Sequence, residues 1–548
     1  MRAQRVTDTG RAARRRAARR KGRSLQAGLG GAVVAGVALF ALGLQDATPA
    51  PLAELFDTSR TRAVADQQEA EQPAAEPAGQ LAPALAAPAP AAAPQVVEQE
   101  KPVGPVPPPL PSMPTGPVIN VAKGGSISAA LAKAKPGDTV LVPGGTYSGG
   151  LDVGVNGAPG KPITIQAVPG QKVTITGGGG GNGLIDLGGR SNITMIGIGV
   201  KGSDSHGIFA QGAKNIVLRD CEVADSQDGG IVFLESSNIK VQRCDIHGNN
   251  ARGTSASNEA MSFDHTDNFE ISFSKVHGNG EEGIDAKYES SAGKIFSNTV
   301  DGNRGPNIYV DSAKDVEVFN NTVTGTTEES KAGISIAVEN LSDTKRAANI
   351  KVYNNVVRGN AGGGIGFWTE SSGTFSGIQI LNNTVVNNSG SDLKIDGGNF
   401  SGLNILRNNI LGSAGGTGSF TADHNIIGSI GGLLDNALKV VAGSKAIGAG
   451  SPDGAPIFDI TGAKRTGGID IGAFEHVTEN PAVALTGLVN EIQAATGQLT
   501  SGLATAVLGS ATRAPTDASD ASAAQPAQPQ PPAQQDPAPP ADAASSGY

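Results

Sequence analysis

The chain has 548 residues, a net charge of −9, 38% hydrophobic and only 4% aromatic residues. Two cysteines in a chain of this length exclude a disulfide-stapled scaffold, and the hydrophobic content is too thin for a core spread over all of it. There is no nucleotide-binding glycine loop, nucleophile elbow or metal–thiolate motif, and no basic stripe in the folded part for nucleic acid.

In chain order, residues 1–24 are a basic segment dense in arginine (Arg14, Arg15, Arg16, Arg19, Arg20). The apolar run 25–44 follows, about long enough to span a bilayer. Arginines ahead of it predict a cytoplasmic N-terminus, with the rest extracytoplasmic and held to the membrane. A cleaved signal peptide has the same layout and remains the alternative, giving a secreted chain. Residues 45–116 are rich in Ala, Pro, Gln and Glu and read as an extended linker. Residues 117–476 form one elongated folded domain. Within it, Ser126 to Ala134 reads as a short amphipathic helix, followed by the strand Asp138–Pro143.

From Ile193 to Leu411 one pattern recurs: an apolar strand ending in x-N-x-V, a polar turn, then a Gly-Ile strand. The endings include Asn298-Thr-Val300, Asn321-Thr-Val323, Asn355-Val-Val357 and Asn383-Thr-Val385. The second strands begin at Ile208, Ile231, Met261, Ile284, Ile308, Ile334, Ile365 and Leu393, at intervals of 23 to 31 residues. Such a period means stacked supersecondary units. Period-2 alternation and the lack of helical periodicity predict an all-β solenoid, a right-handed parallel β-helix with the short helix as N-terminal cap. The repeated Asn predicts a side-chain amide ladder along the axis. Cys221 and Cys244 occupy that same position in earlier repeats, as stacked buried thiols or, outside the cell, as a disulfide. After the solenoid, Leu485, Val489, Ile492, Leu499 and Leu503 predict an amphipathic helix over 482–508, within the segment 477–512. It serves as a lid on the open solenoid end or as a self-association seam. Residues 513–548 are a disordered Pro/Ala-rich tail, and the whole chain is expected to be a monomer.

The register lists outward positions. One column holds Gln211, Leu234, Asp264, Lys287, Asp311, Ala337 and Trp368; another holds Ser262, Asp285 and Tyr309; a third holds Glu259 and Glu282. Charge concentrates on three adjacent coils, since stacked strands lie about 4.8 Å apart. Converging carboxylates suit a hard cation with oxygen ligands, calcium above all, with Glu259, Glu281, Glu282 and Asp285 as the best set. The segments Gly248–Ser257 and Asn340–Asn349 are predicted to be loops walling a groove.

Two stretches, ISAALAKAKPGDTVLVPGGTY (Ile127–Tyr147) with APGKPITIQAVPG (Ala158–Gly170), resemble the opening of secreted right-handed parallel β-helix proteins, including pectate, alginate and chondroitin lyases. SKAIGAGS (Ser444–Ser451) and TGGIDIGAFE (Thr466–Glu475) resemble the way bacterial members end. The resemblance covers about 117–476. Glu281-Glu282-Gly283-Ile284-Asp285 resembles the calcium-binding Asp-Asp-Gly-x-Asp stretch of one pectate lyase family, with Glu259 at another acidic ligand position. That family's lysine base would fall at Tyr309. The alginate and chondroitin lyases place acidic ligands ahead of a lysine, with an arginine one coil on; Glu281, Glu282, Lys287 and Arg304 resemble that order.

The resemblance implies a calcium-dependent polysaccharide lyase that cleaves a uronic-acid polymer by β-elimination. Calcium would bridge protein and substrate carboxylates, a neutral Lys287 would be the base, and Arg304 would neutralise substrate charge. Asp264, Tyr309, Asp311 and Trp368 would bind substrate, Trp368 by stacking on a sugar ring. Against this, Asp264 and Asp311 flank Lys287 in its column, which favours its charged form and an ion-pair ladder instead. A glycoside hydrolase using paired carboxylates, or a non-catalytic carbohydrate-binding adhesin, are the alternatives.

Overall fold

A computed structural model describes residues 104–178, 181–250, 253 and 259–476. The expected basic segment, membrane anchor or signal peptide, most of the linker, the C-terminal helix and the tail lie outside the described residues. Among the described residues, no helix is long and apolar enough to cross a membrane.

The chain winds into three parallel sheets of 15, 11 and 12 strands, in which each strand pairs with its equivalent one coil away. This is a parallel β-helix. The predicted register holds: Met261 pairs with Ile284, Asp264 with Lys287, and Asp285 with Tyr309. Inward residues Ile208, Ile231, Met261, Ile284, Ile308, Ile334 and Ile365 are fully buried in one continuous column.

The glycine of the Gly-Ile strand is dictated by close approach. A Cβ on Gly283 would lie 2.4 Å from the Asn307 carbonyl oxygen and 2.8 Å from the Asn303 amide of the next coil. Aromatic bulk is also matched to missing bulk. Phe269 stacks in a row with Ile216 and Ile239, and its ring fills the space above Gly293, where a Cβ would fall 2.1 Å from the ring. Gly293→Val is therefore expected to lower stability by about 1–3 kcal/mol through overpacking. Thermal denaturation should show that Phe269→Val in the same chain recovers part of the loss.

The Asn ladder is present. Asn298, Asn321, Asn355, Asn383, Asn409 and Asn425 pass side-chain amide hydrogen bonds of 2.9–3.1 Å from coil to coil. Ser274 continues the row before them, its N–H donating to Asn298, and Cys244 donates its N–H to Ser274. Cys221 and Cys244 are free, buried thiols. A second buried ladder, not foreseen from the sequence, runs Asn249–Asn279–Asn303–Asn307–Asn360–Asn388–Asp392.

The N-terminal cap is the helix Ile127–Leu131, with Ser126 accepting the Ala129 N–H at 3.1 Å and Ile127, Ala130 and Leu131 turned onto the first coil. The linker boundary shifts from the expectation. Residues 104–116 lie along the solenoid, with the Ser112 and Pro109 carbonyls accepting from Gln166 (2.7 Å) and Arg243 (3.0 Å). Extended proline-rich backbone lacks internal hydrogen bonds, so its carbonyls are available to such donors. Irregular segments near the C-terminal end pack a second apolar cluster, including Leu433, Val440, Ile471 and Phe474. Arg465 is sealed there between Glu475 (3.1 Å) and the Asn354 side chain (2.9 Å).

Candidate functional site

The site lies on the 11-stranded sheet, on the strands Met261–Asp264, Ile284–Lys287, Ile308–Asp311, Ile334–Val338 and Ile365–Thr369. Alternation aims Asp285 and Lys287 away from the apolar core, on the same side of their strand. The predicted outward positions are nonetheless buried: Asp285 is 1% exposed, Lys287 5% and Asp311 0%. A segment from Glu339 onward folds back beside Asp311. Glu339 accepts the hydroxyls of Tyr288 (2.7 Å) and Tyr309 (2.9 Å), its N–H donates to Asp311 (3.1 Å), and Ser342 donates to Glu289 (2.7 Å). The irregular segment lies at 339–345, displaced towards the N-terminus from the predicted Asn340–Asn349 loop, because Arg346–Tyr353 is a strand. Most of the other predicted wall lies outside the described residues.

Lys287 sits in a buried ion-pair cluster. Its ammonium pairs with Glu259 and, at 2.8 Å, with Asp285. Burial alone would lower its pKa, but the charges of Asp285 and Glu259 outweigh that and hold it well above the usual lysine value. A lysine so held is a cation, not a neutral base. Burial works against Glu259 as a carboxylate, yet Lys287 keeps its pKa low. Asp285 is pushed up to about 8, first by burial, with the Glu259 charge adding to it. Glu282 stands well above the carboxylate range because it is buried among Glu259, Glu281 and Asp285.

The expected calcium ligands therefore share one cluster but are committed elsewhere. Glu259 and Asp285 clamp Lys287, while Glu281 accepts from Arg304 at 3.0 Å. Among the described residues, no three His, Cys, Asp or Glu side chains stand at metal-ligand spacing. As placed, the set does not fit a calcium ion. Two buried carboxylate oxygens of the cluster, Glu282 Oε2 and Asp285 Oδ1, have no hydrogen-bond partner among the described residues.

The expected substrate-binding residues divide. Asp264 is buried and holds His265 Nδ1 at 2.5 Å; Asp311 is buried against Ser312 and Glu339. Tyr309 is 4% exposed. Only Trp368 is half-buried, its ring parallel to that of Tyr309 at 6.4 Å. Arg304 keeps a 43% exposed side chain, bridging Glu281 and Glu328.

Sequence reading missed Tyr288, Lys331 and Glu339. Lys331 Nζ lies 5.9 Å over the Trp368 ring. Lys331 and Glu339 flank the Ile334–Val338 strand in turns of irregular length, where a repeat register no longer predicts placement.

Asp311 gives a pH signature. Burial, then the charges of Glu339 and Asp285, raise its carboxyl well above the usual range, while Ser312 and Lys287 oppose; Tyr309 also faces it. A raised carboxyl contributes stability that is full below its unfolded pKa and lost as pH rises through its folded pKa. Asp311→Asn is expected to gain stability over the natural chain as pH rises, by about 1–3 kcal/mol, the usual penalty for a buried polar group left unpaired. Urea denaturation at pH 5 and pH 8 checks it; an unchanged difference between the two chains would refute it.

Comparison agrees with the architecture. The right handed beta helix region family model matches residues 182–342 and 254–380, in agreement with the three parallel sheets of the fold. No curated protein matches the chain. Among solved structures, an alginate lyase from Paenibacillus sp. str. FPU-7 is 20% identical, with a TM-score of 0.41 over 52% of this chain and 97% of that one. Pectate lyase Pel9A is 17% identical, with a TM-score of 0.38 over 64% and 91%. A GH136 lacto-N-biosidase from Eubacterium ramulus is 13% identical, with a TM-score of 0.37 over 57% and 67%. These are likenesses of fold.

Proposed function

We propose that the protein acts on an acidic polysaccharide at this face, cleaving a uronic-acid polymer by β-elimination. One observation carries the reading: a connected set running Lys331–Trp368–Tyr309–Glu339, which joins a cation, an aromatic face, a phenol and a carboxylate. Trp368 offers its ring to a sugar, and Lys331 and Arg304 hold the substrate carboxylate and the charge that develops on it. Glu339 takes the proton from the carbon beside that carboxylate. The bond from the neighbouring carbon to the glycosidic oxygen breaks, and a carbon–carbon double bond forms. Tyr309, whose phenol burial keeps protonated, gives its proton to the leaving oxygen. The Tyr309–Glu339 hydrogen bond at 2.9 Å then returns the proton. The reading includes an extracytoplasmic location, supported by the arginine-flanked apolar run 25–44.

The test is incubation with pectate, alginate and glycosaminoglycans, following the ultraviolet absorbance of an unsaturated uronate. A rise on one uronan, strongly reduced by Glu339→Gln, is the expected result. No rise on any of them would overturn the lyase reading, and glycan binding without cleavage would make the face a binding surface.

A further inference from the structure

The acid cluster brings three buried carboxyl groups, Glu259, Glu282 and Asp285, to one lysine and is arranged around it. Glu259 approaches Lys287 Nζ from the preceding coil, and Asp285 reaches it at 2.8 Å from two residues earlier in the same strand. All three side chains are no more than 6% exposed. Asp285 Oδ1 and Glu282 Oε2 stay buried beside them with no hydrogen-bond partner among the described residues. Buried carboxyl oxygens without a donor are costly, because they lose water without gaining a partner. Carboxyl oxygens are hard ligands of the kind a divalent cation takes.

We infer that Lys287 is a tethered counter-ion occupying a latent divalent-cation site, so that this β-helix supplies from its own chain the charge that a bound metal ion would otherwise provide. An ammonium is a compact, strongly hydrated point charge with three donors. It can satisfy Glu259 and Asp285, but it cannot fill the coordination shell of six to eight oxygens that a calcium ion takes. The leftover Asp285 and Glu282 oxygens are the part of that shell it leaves unfilled.

The inference rests on the geometry of the cluster and not on the proposed chemistry, and its readouts need no substrate. Calorimetric titration of the full natural chain with Ca²⁺ should show no binding at this cluster, and Ca²⁺ or chelator should leave its thermal midpoint unchanged. Lys287→Ala removes the counter-ion and is expected to lower the midpoint by about 5 °C in chelator, the usual effect of breaking a buried pair in a domain of this size. Ca²⁺ should restore that loss in Lys287→Ala, and Tb³⁺ should give sensitised luminescence there, with Tyr288 and Tyr309 as nearby phenols. Adding Asp285→Asn to Lys287→Ala should abolish the rescue. Calcium binding to the natural chain that Asp285→Asn removes would overturn the inference. So would a Lys287→Ala chain that folds without responding to Ca²⁺, or one that Ca²⁺ fails to refold. A negative result on every uronan would leave these outcomes untouched.

Discussion

Asn355→Ala is expected to cost about 3–5 kcal/mol of stability, a large share of what a domain holds. The reason is the count of buried groups it strands. Asn355 Oδ1 accepts both the side-chain amide and the backbone N–H of Asn321, at 3.0 Å each. Its own amide donates to Asn383 Oδ1 (3.0 Å) and to the Val318 carbonyl (2.8 Å). All of these groups are shut off from water, and each one left without a partner costs about 1–3 kcal/mol. A built-in contrast comes from the surface row Asn192–Asn215–Asn238–Asn268, which has the same amide chain at 2.6–3.0 Å but faces solvent. Asn238 has φ +57°, which glycine adopts freely. Asn238→Gly should therefore cost less than about 1 kcal/mol, since water replaces the lost bonds. Urea denaturation of the two variants beside the natural chain decides the matter; equal losses would show that the ladder works by turn geometry and not by burial.

Glu339→Gln is expected to lower the rate of uronan cleavage by about 10²–10⁴-fold, the range that a positioned general base supplies. The amide keeps the shape of the side chain and an acceptor for one tyrosine, but it cannot take a proton at neutral pH. Folding should be nearly unchanged, and far-ultraviolet circular dichroism with a thermal midpoint would confirm it. Substrate affinity should also persist, because Lys331, Arg304 and Trp368 remain. Lys331→Ala should behave the other way, weakening binding more than it slows turnover of bound substrate. Equal activity of Glu339→Gln and the natural chain would remove Glu339 from the chemistry and return the search for a base to the cluster beneath it.

The buried cluster explains why the proposed catalytic roles differ from the ones the sequence suggested. Lys287 and Asp285 belong to one strand and Glu259 to the coil before, so their meeting follows from register alone. Whether that meeting makes a base or a counter-ion depends on water. Buried as it is, the ammonium has little solvent to compete with its two carboxylates, and it stays charged. An exposed lysine in the same column would be a different reagent.

Much of this was legible from the residues. The interval between Gly-Ile strands determined the parallel β-helix, because only stacked coils bury a face repeated at that spacing. Period-2 alternation then placed Ile284 and Ala286 inward and Asp285 and Lys287 outward, and the repeated Asn before each Val announced the first ladder. Ser126 and the apolar pattern after it announced the cap. These are properties of neighbours along the chain and of a constant period, which sequence records directly.

Tertiary structure alone decided the rest. The second ladder joins Asn303 to Asn307 within one turn and Asn307 to Asn360 across 53 residues, skipping any fixed interval. Glu339 reaches back over two coils to Tyr288 and Tyr309 from a turn of irregular length. The sequence marks both as polar residues in turns and says nothing of their partners. The burial that holds Lys287 charged and lifts Asp285 to about 8 is likewise a tertiary property. Periodicity tells which way a side chain leaves the sheet; only the loops above the sheet determine whether it meets water.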